Sequence, residues 1–180
     1  MSFKTEGADI SPLDGRGLAA TKAQTAATRA AYVGGFAPAA LNGGTDTTPV
    51  AGTVYFGPVW LDSNMTVTGV GFNIGSVGGT DDVIVSLYDK TGAKVANSIL
   101  DDSVIVGDAN TFQEVPFTAA YKALGPGLYY AGVSVNGTTC RLRLNVVNGA
   151  RGGSLVGVFA TLAAITPPTA KAAAPIAYLY

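Results

Sequence analysis

Residues 111–143 read TFQEVPFTAAYKALGPGLYYAGVSVNGTTCRLR, and their pattern decides the fold class. A short run, 111–117, leads into a connector that holds Pro126 between two glycines. A second run, 128–135, follows, then Asn136-Gly137, then a third, 139–144. Asn-Gly between two apolar alternating runs predicts a two-residue hairpin, because both central residues of a type I′ turn need φ > 0. In 128–135, Leu128, Tyr130, Gly132 and Ser134 share one face and Tyr129, Ala131, Val133 and Val135 the other. Neither face is strongly polar, so this strand is expected inside a two-layer core.

Working outward, residues 53–60 (TVYFGPVW) are apolar and aromatic but broken by Gly57-Pro58. Proline cannot donate to a ladder, so an edge strand or a bulge is expected there. Trp60 is assigned to the core. Residues 65–74 (MTVTGVGFNI) alternate, with Met65, Val67, Gly69, Gly71 and Asn73 on one face and Thr66, Thr68, Val70, Phe72 and Ile74 on the other. Glycines on one face imply close backbone approach or strong twist. Residues 83–88 (VIVSLY) form a short strand, and Asp89-Lys90-Thr91-Gly92 turns it into a partner at 93–98. Further short strands are expected at 103–106 and 154–159, and 175–180 (PIAYLY) reads as a last strand or a subunit contact. About eight to ten short strands, with turns every eight to twelve residues, predict an all-β chain: an antiparallel Greek-key sandwich or barrel.

Residues 1–45 differ in kind. Residues 18–33 (LAATKAQTAATRAAYV) are alanine-rich enough for a short helix, but Leu18, Tyr32 and Val33 are the only large apolar residues. A helix this short with so thin a face is marginal in water. The expected organisation is an extended N-terminal arm, 1–45, before a β-sandwich domain, 46–180. Arg16, Lys22 and Arg29 punctuate the arm, and no acid lies between Arg16 and Thr45. A weakly ordered solvated tail is the bland alternative. The functional reading is an arm laid across an acidic neighbour, with Tyr32 and Phe36 as its apolar contacts; each exposed ion pair would contribute only ~0–1 kcal/mol.

The chain has 180 residues, 48% hydrophobic and 13% charged, with formal net charge −1. Such sparse charge suits a surface partly covered by partners. Near-neutrality gives no reason to expect nucleic-acid binding. No apolar run approaches the roughly 20 residues of a membrane helix, and the N-terminus lacks the pattern of a signal peptide. Charge is uneven along the chain: nine acids against two bases in 46–114, then five bases and no acid in 115–180. Interleaved strands would mix these signs. Segregated patches would let copies dock head to tail.

There is no histidine, which removes Ser-His-Asp and Cys-His catalysis and the common zinc sites. Cys140, the single cysteine, is read as a small buried hydrophobe. Asp81-Asp82 and Asp101-Asp102 are read as surface turns, with Asp81, Asp82 and Asp108 the weak calcium candidates; no D-x-D-x-D-G loop is present. GSVGG at 75–79 lacks the Lys-Ser/Thr of a phosphate loop. Tyr55, Tyr121 and Tyr129 could form a sugar platform, but core or interface is the commoner fate of strand tyrosines. No cofactor or metal is expected, and no enzyme.

The runs GTVYFGPVWL, VTGVGFNIGSVGGTDDVIVSLYDKTGAKVANS, TFQEVPFT and PGLYYAGVSVNGTTCRLR, with the terminal PIAYLY, resemble a jelly-roll module of structural proteins of tailed bacteriophages. The resemblance covers 52–145 most closely. It implies a scaffold rather than a catalytic site. With a short leading segment and no repetitive stalk, the chain looks more like a capsid decoration (cement) protein than a long fibre. That implies a virion protein on the capsid exterior, with the major capsid protein as partner through the arm. It also implies self-association, as a homotrimer more readily than a dimer, for which Arg141, Arg143, Tyr178 and Tyr180 are the candidates. The alternative is a head-fibre or tail appendage binding host-surface glycans.

Overall fold

The computed structural model describes residues 31–32, 44–101, 103–145, 152–169 and 173–180. Compact units divide at Ala30/Ala31, and the strands described below belong to the second, Ala31–Tyr180. Arg16, Lys22, Arg29 and Phe36 lie outside the described residues, as does most of the helix expected at 18–33; Ala31 and Tyr32 within it are extended.

The described residues contain no helix and twelve strands: β1 (Ala31–Tyr32), β2 (Thr45–Thr47), β3 (Thr53–Leu61), β4 (Met65–Asn73), β5 (Val83–Tyr88), β6 (Lys94–Asn97), β7 (Phe112–Ala123), β8 (Gly127–Val135), β9 (Leu142–Asn145), β10 (Gly153–Val156), β11 (Ala174–Pro175) and β12 (Ala177–Leu179). They form a five-stranded sheet, β10-β3-β8-β5-β6, a four-stranded sheet, β1-β12-β4-β7, and a three-stranded sheet, β11-β9-β2. The strand pairs are antiparallel. The pairing is nested: β3 with β8, β4 with β7, β5 with β6.

The inner faces of the two larger sheets make the main core. Val59 and Leu61 (β3), Val85 and Leu87 (β5) and Ala131 and Val133 (β8) meet Val67, Val70 and Phe72 (β4), Val115 (β7) and Leu179 (β12). Burying each Val, Leu or Phe side chain contributes roughly 1.5–3 kcal/mol. Leu142 and Leu144 of β9 join the same core, and an isolated bridge, Ile74–Leu142, ties β9 to the end of β4.

The strand at the centre of the quoted stretch behaves as its alternation requires. Tyr129, Ala131, Val133 and Val135 face the main core. Tyr130, with Leu128 beside it, lies in a second cluster on the other side of the same sheet, with Val54, Phe56, Ile84, Tyr88, Leu162 and Ile165. Residues 157–169 form a strap over that outer face. Ile165 N–H donates to Gly92 O at 2.9 Å, which ties the strap to the β5–β6 turn. Coverage on both sides is why every residue of β5 is buried.

Several details depart from the sequence reading. Asn136-Gly137 does not join a hairpin: β8 pairs with β3 and β5, while β9 pairs with β2 and β11. Neither Asn136 nor Gly137 has positive φ, so the primed-turn geometry is absent. The chain instead passes from one sheet to another. The alternation of β4 is broken by a register shift between Val67 and Gly69. Before it Val67 faces the core and Thr66 and Thr68 are exposed; after it Val70 and Phe72 face the core. The first strand of the quoted stretch runs on to Ala123, through residues expected in a connector. The strand expected at 103–106 is reduced to a bridge, Asp82–Ile105.

The Gly57-Pro58 break makes β3 neither an edge strand nor a bulged one: it lies between β10 and β8, in unbroken register with β8. β3 pairs with β8 along nearly its whole length, but β10 pairs only with residues 53–56 of it. Pro58 therefore sits where β10 no longer needs a ladder donor. The Asp89–Gly92 turn does form. Asp89 Oδ1 accepts from Thr91 N–H (2.8 Å), Thr91 Oγ1 (2.6 Å) and Ala93 N–H (3.1 Å), and Gly92 adopts φ 88°. The Thr91 hydroxyl bond, more than any other influence, holds the Asp89 carboxyl below its ordinary range.

Candidate functional site

Two places on the molecule gather the residues singled out from sequence. The first is the outer face of the four-stranded sheet. Tyr178 and Tyr180 project outward from the β12 end because Ala177 and Leu179 are taken by the core. Their rings lie over the two glycines of β4. A Cβ at Gly71 would stand 2.2 Å from Tyr178 Cζ, and one at Gly69 2.4 Å from the Tyr180 hydroxyl. The close approach expected from those glycines is therefore made by aromatic rings.

Tyr178 OH donates to Glu114 Oε1 at 2.8 Å, across β4 on β7. Its ring also packs against Phe112 and Tyr180, with centroids 5.6 and 6.4 Å away. The β4 bulge faces the chain's last carbonyl: Thr68 N–H and Oγ1 donate to Tyr180 O at 2.6 and 3.0 Å. Burial, and then the Glu114 charge, push the Tyr180 phenol up. Tyr32 of β1 is paired with Tyr178 in the ladder. Tyr178 and Tyr180 thus make intramolecular contacts; PIAYLY is divided between two sheets, Pro175 pairing with β9 and Ala177–Leu179 with β4.

The second place surrounds β9. Asp46 of β2 is paired directly with Arg143. Asp46 accepts from Ser76 N–H at 2.9 Å and from the Ser76 hydroxyl. Slight desolvation opposes ionisation of the exposed Asp46, but the Ser76 bonds and the Arg143 and Arg141 charges outweigh it and hold the carboxyl below its usual range. Arg143 Nη2 donates to Asn110 Oδ1 at 2.9 Å, and Arg141 Nη1 to Cys140 O at 3.3 Å. The acidic and basic parts of the sequence are therefore interleaved here.

The Asp81-Asp82 pair serves the backbone. Asp81 is 6% exposed, and its Oδ2 accepts from Thr139 N–H and Cys140 N–H, both at 2.8 Å. A Cβ on Gly137 would lie 2.1 Å from Asp81 Oδ1, so the carboxylate needs glycine there. Asn136 Oδ1 accepts from Asp82 N–H at 2.8 Å. This explains the Asn-Gly pair: its residues receive Asp82 and Asp81 instead of turning a hairpin. Asp81 is not the surface turn residue expected from sequence. Cys140 is buried as expected; burial first, then the Asp81 carboxylate, push its thiol from 9.0 up to about 12. No group of three or more His, Cys, Asp or Glu able to hold a metal occurs among the described residues.

Of the aromatic candidates, Tyr55 and Tyr129 are buried core residues, and the Tyr129 hydroxyl is bonded to the Leu124 backbone at 2.9 and 3.1 Å. Tyr121 is half-buried, edge-on to Tyr129. Trp60, assigned to the core, is instead 59% exposed. It projects from β3 opposite Leu128, on the outer face of the five-stranded sheet. Hydrophobicity alone favoured the core; only the extent of the strap decides otherwise.

A further surface was legible and overlooked. Residues 152–169 contain no Asp, Glu, Lys or Arg. Val156 and Val158 there are 76% and 68% exposed, and Val50 is 56% exposed. No helix among the described residues is long and apolar enough to cross a membrane. No family model, no curated protein and no solved structure matches the chain.

Proposed function

We propose that this chain is a structural virion protein, a decoration protein that binds the outside of a shell of major capsid proteins and stabilises it. The observation that carries the reading is the division of labour along the chain. The two apolar clusters of the sandwich are built from Val54 to Leu179. The segment before Ala31, with Arg16, Lys22 and Arg29, belongs to a separate unit. The nested pairing of β3–β8, β4–β7 and β5–β6 supports the jelly-roll reading, since a jelly roll is a ladder of nested pairs wrapped into two sheets. The mechanism is mechanical. At ~25 cal/mol per Å² of apolar area, a leading segment burying a few hundred Å² gains several kcal/mol before ordering costs. Repetition over a shell multiplies that gain.

The test compares full-length protein with a deletion of residues 1–30, which leaves β1 and β2 in place. Both are mixed with shells lacking the protein and sedimented. The deletion is expected to stay folded and remain in the supernatant; undiminished binding rejects the arm's role. Trp60 favours a second reading, an appendage that binds host glycans, because an exposed indole on a rigid strand is a stacking surface for a sugar ring. A glycan-array signal abolished by Trp60→Ala would select it.

A further inference from the structure

Sheet edges invite pairing, and natural proteins guard them with charge, proline or a bulge. Two of the outer strands here are guarded. β7 carries Glu114, Pro116 and Lys122 and is paired across a register shift. β6 carries Lys94, and the Thr118 hydroxyl of β7 donates to Asn97 O at 3.2 Å at its end. β10 has none of these devices. Its sequence is GSLV, and it closes the five-stranded sheet through β3 alone among the described residues. Leu155 faces the covered side of the sheet and packs on its cluster, while Ser154 and Val156 are exposed.

The apolar surface continues beyond the strand. Val156 pairs with Thr53, and Thr53 N–H donates to Val50 O at 3.0 Å. A Cβ on Gly52 would lie 2.6 Å from Gly157 O, so residues 50–53 and 156–158 are held together. Val50, Val156 and Val158 are thus exposed on backbone segments held together at an unguarded edge.

We propose that this edge is a self-association surface, and that its occupant is β10 of a second copy, paired antiparallel across a two-fold axis. The choice of a second copy rests on charge. A patch that meets its own copy across a two-fold axis is repelled in proportion to its net charge, so an uncharged patch suits that partner. With no charged residue in 152–169, the edge meets that condition. Pairing would join two five-stranded sheets into one of ten strands and cover the valines. A two-fold contact makes the unit a dimer, the less favoured of the two symmetries that the resemblance implies.

The test uses the full chain in isolation, without particles, so its outcome is separate from that of shell binding. Sedimentation equilibrium should give twice the chain mass. The double variant Val156→Lys, Val158→Lys should sediment as a monomer with an unchanged far-UV spectrum, since both side chains are exposed. A spin label on Ser154→Cys, with buried Cys140 unlabelled, should report a label-to-label distance within about 20 Å, a few strand spacings of ~4.8 Å. A monomeric or trimeric wild type, a dimer indifferent to the lysines, or a label distance far beyond that range would overturn the proposal.

Discussion

The two large sheets meet the same core and treat their other faces in opposite ways. The five-stranded sheet is covered again: Phe159, Leu162 and Ile165 of the strap lie over Val54, Phe56, Ile84, Tyr88 and Tyr130. The four-stranded sheet has no second apolar cluster among the described residues. Its outer face carries glycine, threonine, Glu114, Phe112 and two tyrosines lying over the glycines. Burial on both sides leaves buried polar groups with few partners. The hydroxyls of Ser86, Tyr88 and Ser134 in the covered sheet are buried with no hydrogen-bond partner. On the open sheet the Tyr178 hydroxyl has a carboxylate partner. One sheet is held by area and the other by edge pairing and polar contacts, so equal substitutions should have unequal effects.

The largest difference is expected at the strap. Leu162 is 2% exposed and adopts φ 39°, a left-handed conformation that aims its side chain at the sheet. Leu162→Ala should cost about 2–4 kcal/mol in urea unfolding, as for a residue of the main core. Leu162→Gly should cost about 1 kcal/mol less than Leu162→Ala, because glycine relieves the left-handed backbone. A loss below ~1 kcal/mol for the alanine variant would mean that the strap is a loose cover, and the contrast between the sheets would fail.

How much of this was legible depends on how local the cause is. The two faces of β8 and the Asp89–Gly92 turn follow from neighbours in sequence, and the residues alone indicate them. The glycines of β4 announced a close approach, but not that Tyr178 and Tyr180 would make it, since that contact spans the length of the domain. Asn136-Gly137 misled because its geometry is imposed by Asp81 and Asp82, more than fifty positions away. Trp60 misled for the converse reason: nothing local says where a distant strap stops. At the candidate surfaces, the mixing of Asp46 with Arg143 required strand pairing, whereas the charge-free run of 152–169 was plain in the sequence.

A smaller effect should appear in alkali. Burial pushes the Tyr88 phenol above 10.0 and the Cys140 thiol to about 12. Both groups hold their protons longer in the folded chain than in the unfolded one. Their contribution is therefore intact below the unfolded pKa and is lost as pH rises toward the folded value. For Cys140 the loss begins near pH 9 and ends near 12, with a slope of ~1.4 kcal/mol per pH unit while only the unfolded thiol is ionised. Tyr88 steepens the loss above pH 10. Urea midpoints at successive pH values should show Cys140→Ala flattening the limb from pH 9, and Tyr88→Phe only above 10. At pH 7, Tyr88→Phe should lie within about 0.5 kcal/mol of wild type, because the hydroxyl it removes has no partner to lose. A marked loss at pH 7 would show a bonded hydroxyl and remove one side of the comparison.

The smallest effect tests the other side. Tyr178→Phe keeps the ring over Gly71 and against Phe112 but removes the bond to Glu114. The bond is charge-assisted yet wet, so its loss should cost roughly 0.5–1 kcal/mol, and less in high salt. Glu114→Gln, which keeps an acceptor and removes the charge, should retain part of the stability, and the double variant should cost no more than Tyr178→Phe alone. The same chemical change, one phenol to one phenyl, would then be nearly silent on the covered sheet and costly on the open one. An additive double variant would show that Tyr178 and Glu114 act independently, and that the open sheet is held by its ladders alone.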